Sequence, residues 1–175
     1  MGQELTARRK TIILATCCLS LLIVSMDVTI LNVALPDIRR DLGASVSGLQ
    51  WVIDVYTLTV ASLLLLSGAT ADRFGRRRVF QIGLTVFAVG SLLCSLSTSV
   101  DMLIGARFLQ AIGGSMLNPV AMSIITQVFT GKQERAKAVG VWGAVVGISM
   151  ALGPIVGGVL IDSLAMQSPR CSWFP

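Results

Sequence analysis

The sequence predicts an all-α integral membrane protein with five transmembrane helices. Hydrophobic residues make up 54% of the 175-residue chain and charged residues only 13%, and the mean hydropathy is +0.80. A soluble domain of this size cannot bury so much apolar surface, so a lipid bilayer is the expected solvent. The apolar runs are long and do not alternate with polar residues, which argues against the short strands of a membrane barrel.

Each predicted span is long enough to cross the hydrocarbon core. A helix rises about 1.5 Å per residue, so about 20 residues cross a core about 30 Å thick. The first run follows basic residues as a signal peptide does, but it is too long and lacks a small-residue cleavage site. The predicted spans are Ile12–Ala34, Ser47–Thr70, Val79–Ser97, Met102–Phe129 and Ala138–Ile161.

The predicted domain organisation follows from these spans. Residues 1–11 form an N-terminal segment, residues 12–161 the five-helix region, and residues 162–175 a tail of different character. Pro36 is expected to open the outer loop after the first span, and Asp101 to cap the fourth helix. The predicted connections are residues 35–46, 71–78, 98–101 and 131–137.

The basic residues predict how the helices are oriented. A cytoplasmic N-terminus places ten of the 14 lysines and arginines on the inner side, as the positive-inside rule requires of short loops. This asymmetry accounts for the net charge of +5 without a nucleic-acid partner. We therefore expect a multi-pass protein of the plasma membrane, the inner membrane of a bacterium, with its N-terminus in the cytoplasm.

Catalytic and metal chemistry have little support in the sequence. The chain contains no histidine, which excludes catalysis and metal binding by imidazole. The cysteines show no ligand spacing and are interpreted as small buried apolar residues; they are Cys17, Cys18, Cys94 and Cys171. No nucleophile–base pair is evident, so we expect neither an enzyme nor a metal site.

Three ionisable residues lie within predicted spans. A charge at mid-bilayer costs about 2.5–3.5 kcal/mol on insertion scales, so it normally faces a partner or an aqueous cavity. Asp27 lies in the first span, Asp54 near the outer end of the second, and Arg107 about one turn inside the fourth. Together they predict a pathway in which a proton and a cation exchange at a carboxylate.

Each of these residues also has a structural interpretation. Asp27 could hydrogen-bond a neighbouring helix without taking part in transport. Asp54 could be a hydrated interfacial carboxylate between Trp51 and Tyr56, two residues that fit an aromatic belt. Arg107 could extend its side chain to the membrane surface.

Four segments carry a more specific pattern. In the loop after the second span, Gly75 permits a tight turn and Asp72 can pair with the neighbouring arginines. Small residues in the fifth span allow close helix packing, and Pro154 weakens its hydrogen-bond ladder. The segments are Asp27-Val-Thr-Ile-Leu-Asn-Val-Ala-Leu-Pro36, Gly68-Ala-Thr-Ala-Asp-Arg-Phe-Gly-Arg-Arg-Arg-Val-Phe80, Ile104-Gly-Ala-Arg-Phe-Leu-Gln-Ala-Ile-Gly-Gly114, and Gly140 with Gly153-Pro154 and Gly157-Gly158.

In this order the segments resemble the motifs of the major facilitator superfamily, and in particular its 14-helix drug:proton antiporters. The resemblance implies the N-terminal five helices of a major-facilitator-type bundle. It implies proton or cation coupling by Asp27, Arg107 and Asp54. It also implies a cytoplasmic gating loop of Gly68, Asp72, Arg73, Gly75, Arg76 and Arg77, and an antiporter helix-five motif of Gly140, Gly153, Pro154, Gly157 and Gly158.

The function implied by the resemblance is export of amphipathic, cationic drug-like compounds in exchange for protons. The proton gradient would supply the energy, with no bound cofactor. The expected partners are the lipid bilayer, protons, a small cationic substrate and a C-terminal transporter region absent from these residues. The tail at 162–175 departs from the family pattern, so a truncated or frameshifted chain is expected. The alternative is a non-transporting fragment, or one that associates with a full-length transporter.

Overall fold

The computed structural model describes residues 7–167, with side chains described through residue 158. Every helix is long and apolar enough to cross a membrane, and no strand occurs within the described residues. The predicted fold class is therefore confirmed, and each predicted span corresponds to one of the five helices. The helices are α1 (Ala7–Leu42), α2 (Val46–Phe74), α3 (Arg76–Ser95), α4 (Val100–Val128) and α5 (Lys132–Gln167).

Helix α1 extends through most of the predicted outer loop, so the expectation that residues 35–46 form a loop was wrong. Pro36 lies inside the helix, where it removes only one N–H group from the hydrogen-bond ladder. The helix ends where Gly43 adopts φ 60° and the Ala44 N–H donates to the Arg39 carbonyl at 3.2 Å. This glycine cap, rather than the proline, is the stop signal.

The predicted inner turn at 71–78 is also shorter than expected. Only Gly75 separates α2 from α3, and its φ of 95° lies in a region that residues with a side chain rarely adopt. The Gly75 N–H donates to the Ala71 carbonyl at 3.0 Å. Gly75 therefore makes the whole turn, while the residues beside it remain helical.

The N-terminal cap of α4 differs from the expected one. Ser99, rather than Asp101, is the capping residue, and its hydroxyl accepts a hydrogen bond from the Met102 N–H at 3.3 Å. Asp101 lies in the first turn of the helix, where a negative charge interacts favourably with the helix dipole.

Helix α4 is the centre of the bundle and carries most of the buried side chains. It packs against α2 and α3, while α1 packs mainly against α5. Near the N-terminal ends of α1 and α5, Lys10 pairs with Glu134 at 3.1 Å. Glycines let α3 and α4 approach closely, because a Cβ atom on Gly113 would overlap the backbone of Phe87 and Gly83.

We expect Gly113→Ala to destabilise the protein by about 1–3 kcal/mol, because backbone atoms on α3 cannot move away without separating the helices. Gly105→Ala is the matched control on the same helix, since a Cβ there meets nothing within 4 Å. The control should be neutral or stabilising by up to about 1 kcal/mol. Thermal unfolding in detergent micelles, followed by circular dichroism, measures both; equal stabilities would contradict the close α3–α4 contact.

Helix α5 continues to Gln167, beyond the predicted boundary at residue 161. Residues 162–167 of the predicted atypical tail are therefore helical in their backbone. Residues 168–175, which include Cys171, lie outside the described residues. The assignment of a separate tail segment stays a prediction.

Candidate functional site

A buried ion pair joins α1 to α4. The Arg107 Nη1 donates to the Asp27 Oδ2 at 2.6 Å, with 4% of the arginine side chain and 19% of the aspartate side chain exposed. A buried charge without a partner is costly, and these two groups lie on helices that the fold places side by side. The pair explains how both charges are accommodated inside the bundle.

Gln110 completes this ion pair as a third member. Its Nε2 donates to the Asp27 Oδ1 at 2.9 Å, and its Oε1 accepts from the Arg107 Nη1 at 3.1 Å. The side chain has no exposed surface. We call Asp27, Arg107 and Gln110 the polar triad. Both carboxylate oxygens of Asp27 thus accept a hydrogen bond from α4.

Tyr56 packs against the polar triad from α2. Its ring centroid lies 5.5 Å from the Arg107 Cζ, within cation–π range. Tyr56 is 8% exposed, so the alternative in which it belongs to an aromatic belt does not fit, whereas Trp51 is 55% exposed as such a belt requires. Gly114 makes room for the phenol, because a Cβ there would lie 2.8 Å from the Tyr56 Oη.

Asp54 lies apart from the polar triad. It is exposed on α2, and the structure gives it no hydrogen bond or ion pair among residues 7–158. Tyr56, two residues later, faces the bundle interior, so Asp54 faces away from it. The structure therefore brings together two of the three predicted coupling residues.

The charged loop at the α2–α3 junction is held by one of its arginines. Arg76 donates to the Asp72 Oδ1 through Nε at 3.1 Å and Nη2 at 2.8 Å. Its Nη1 donates to the Ser123 carbonyl on α4 at 3.1 Å. Arg73 and Arg77 are exposed, and among the described residues Arg76 is the one arginine of this loop with a hydrogen bond to α4.

The helix-five motif divides between two faces of α5. Gly153 and Gly157 contact α1: a Cβ on Gly153 would overlap the Thr29 side chain, and one on Gly157 would lie 3.5 Å from the Ile30 Cα. Gly140 and Gly158 have open space around them, and Pro154 is exposed. Two of the five motif residues, Gly153 and Gly157, therefore serve packing within the described helices.

Two further features lie near the α2–α3 loop, namely Gly68 and a cavity. A Cβ on Gly68 would meet nothing within 4 Å, so close packing does not require this glycine. A cavity of about 1110 Å³ lies between the N-terminal part of α1, the end of α2, the start of α3 and the end of α4, with Arg76 and Arg77 in its wall. The polar triad does not line this cavity.

Sequence reasoning missed Gln110 and the role of Tyr56. A usable signal existed for Gln110, which lies three residues after Arg107 and therefore on the same helix face. Cys94 on α3 was interpreted as an apolar filler, yet its thiol lies 3.5 Å from the Gln110 Oε1. Neither Tyr56 nor Cys94 could be placed near Arg107 without knowing how α2 and α3 pack on α4.

Comparison with known proteins identifies the family. The Major Facilitator Superfamily profile matches residues 17–171. The chain is 41% identical over 166 residues to the methylenomycin A resistance protein of Bacillus subtilis, covering 95% of this chain and 36% of that relative. It is 40% identical over 157 residues to the multidrug efflux pump LfrA of Mycolicibacterium smegmatis, covering 90% of this chain and 31% of the pump.

A further relative is the riboflavin transporter RibZ of Clostridioides difficile, which is 35% identical over 161 residues, or 92% of this chain and 35% of the relative. The chain thus spans about a third of the length of the curated relatives it matches. Together with five apolar helices of spanning length, these matches establish a multi-pass membrane protein. The chain belongs to the major facilitator superfamily.

Proposed function

We propose that this chain supplies the proton-coupling part of a drug:proton antiporter that exports amphipathic, cationic compounds. The observation that carries the proposal is the buried pair of Asp27 and Arg107 between α1 and α4. The names of two relatives, a methylenomycin A resistance protein and a multidrug efflux pump, support export of toxic compounds.

The polar triad suggests how a proton and a cation could exchange. The carboxylate of Asp27 can hold one positive charge at a time, so a proton and a cationic substrate compete for it. Arg107 stays charged, because a guanidinium is not deprotonated in proteins, and it repels a second cation at the site. Its buried Nε has no hydrogen-bond partner among the described residues, so this N–H can donate to water or substrate.

We further propose that the N-terminus is cytoplasmic and that the protein resides in the plasma membrane. The distribution of lysines and arginines supports this orientation. In that frame, the α2–α3 loop lies on the cytoplasmic side. The bond from Arg76 to the Ser123 carbonyl would then act as part of a cytoplasmic gate, with Gly68, Asp72, Arg73, Gly75 and Arg77 shaping the same segment.

The α5 glycines are proposed to limit leak. Gly153 and Gly157 seat the helix against α1, and Pro154 weakens the ladder at the same level. The open face with Gly140 and Gly158 is available to a further helix, as in transporters whose two halves enclose the substrate site. A C-terminal region like that of the longer relatives is therefore the proposed partner.

A chimera tests this function. Residues 1–161 of the chain replace the aligned N-terminal region of the Bacillus subtilis relative, and the chimera is expressed in efflux-deficient bacteria beside the 175-residue chain itself. We expect ethidium efflux from the chimera that a protonophore abolishes, and no efflux of riboflavin. Absence of ethidium efflux from a membrane-inserted chimera contradicts the proposal, and efflux of riboflavin alone indicates a different substrate class.

Asp54 is proposed to attract cations at the outer surface without holding them. In the chimera, Asp54→Asn should raise the KM for ethidium by about threefold, because removal of one exposed charge weakens electrostatic steering only modestly. The maximal efflux rate should not change. The rise in KM should diminish at high ionic strength. A complete loss of efflux would instead place Asp54 in the coupling step.

A further inference from the structure

Gln110 makes a contact that the proposed function does not use. Its amide bonds to both members of the ion pair, through Nε2 to Asp27 at 2.9 Å and through Oε1 from Arg107 at 3.1 Å. We propose that Gln110 is a positioning residue that holds the Asp27 carboxylate in place against Arg107. This inference rests on the proposed role of Asp27 as the proton-accepting group.

The amide is held in place by α3. Gly90 packs directly on the backbone of Gln110, because a Cβ there would lie 2.6 Å from the Gln110 Cα. The Cys94 thiol donates to the Gln110 Oε1 at 3.5 Å. Two donors, Cys94 and Arg107, therefore point at Oε1, which leaves Nε2 to face Asp27. Contacts from α3 thus fix which end of the amide the carboxylate meets.

The groups that face Asp27 are few, so the effect of the amide can be isolated. Arg107 and Gln110 approach it from α4, and α2 and α3 contribute only Tyr56 and Cys94, two groups that are neutral near pH 7. Helix α5, which packs on α1, has no ionisable side chain between residues 138 and 158. Arg107 is the one charged neighbour among the described side chains.

The sign of the effect follows from the two bonds of the amide. The bond from Nε2 is charge-assisted only while Asp27 is ionised, and such bonds are about twice as strong as neutral ones. Removing the amide also removes the bond from Arg107 to Oε1. This loss is the same whether Asp27 is protonated or ionised, so it has little effect on the balance between the two forms. Removing the amide should therefore make Asp27 take up a proton at higher pH.

The test is an infrared titration of the 175-residue chain in lipid nanodiscs, with the Asp27 carboxyl band identified by its loss in Asp27→Asn. Gln110→Met keeps the side-chain volume but removes both hydrogen bonds. It should raise the midpoint pH of Asp27 protonation by about one unit. Gln110→Glu places a second carboxylate beside Asp27, so the pair should retain a proton to a pH more than about one unit higher.

The matched control is Gln127→Glu, which makes the same charge change at an exposed position near the other end of α4. Its midpoint should equal that of the unmodified chain. Unchanged or lowered midpoints in both Gln110 variants would overturn the inference and leave Gln110 as a packing residue. Because this readout needs no transport, a raised midpoint with no efflux from the chimera would reject the proposed function while the positioning role stands.

Discussion

Asp27→Asn is expected to abolish protonophore-sensitive ethidium efflux by the chimera. An amide cannot take up or release a proton, so the site would lose the group at which proton and cation exchange. Asparagine has nearly the same size, and its single amide oxygen can still accept a hydrogen bond from one of the two donors, Arg107 or Gln110. Efflux should therefore fall to the level of cells without the chimera, while the amount of protein in the membrane stays the same.

Asp101→Asn is the matched control for this experiment. Asp101 is exposed in the first turn of α4, so the same chemical change there should leave efflux within the error of the assay. Counterflow of ethidium without a proton gradient separates coupling from binding. If Asp27→Asn retained proton-driven efflux, coupling would have to reside in another carboxylate and the proposed mechanism would be wrong.

Arg107→Gln is expected to have the largest effect on stability. It leaves the Asp27 carboxylate inside the bundle without its cationic partner, and breaking a buried ion pair from one side costs about 3–5 kcal/mol. The double variant Asp27→Asn/Arg107→Gln has no buried charge and should recover most of that loss. Thermal unfolding of all three variants in detergent gives the coupling free energy between the two residues.

Transport separates the stabilising role of the pair from its proposed function. Both Arg107→Gln and the double variant should lack proton-driven efflux, although only the first should be unstable. Recovery of efflux in the double variant would show that the pair is a structural contact alone. Additive stability losses would argue that Asp27 and Arg107 do not interact at 2.6 Å.

The spans could be predicted from the sequence, but several of their ends could not. Hydropathy reports which residues enter the bilayer, whereas a helix continues into water as long as its backbone hydrogen bonds continue. Pro36 was expected to end α1, yet the helix ended at Gly43, because the positive φ of a glycine cap is a stronger stop signal than one missing N–H. At the α2–α3 junction, the glycine was predicted correctly and the length of the turn was not.

The site could be predicted residue by residue but not as an arrangement. The cost of burying charge drew attention to Asp27 and Arg107, which are 80 residues apart in the chain. Their pairing depends on how α1 packs on α4, which hydropathy does not report. Asp54 met the same criterion but lies on the exposed side of its helix. The depth of a residue along a span does not determine which face of the helix it occupies.

The single-residue connection at Gly75 has a mechanical consequence. A joint of one residue has only two free backbone torsions, and φ of Gly75 is 95°. At this junction α2 and α3 cannot move independently, so a movement of one helix requires a movement of the other. Arg76, the first residue after Gly75, is hydrogen-bonded to the Ser123 carbonyl of α4. A movement at the end of α2 would therefore be transmitted through Arg76 to the central helix α4.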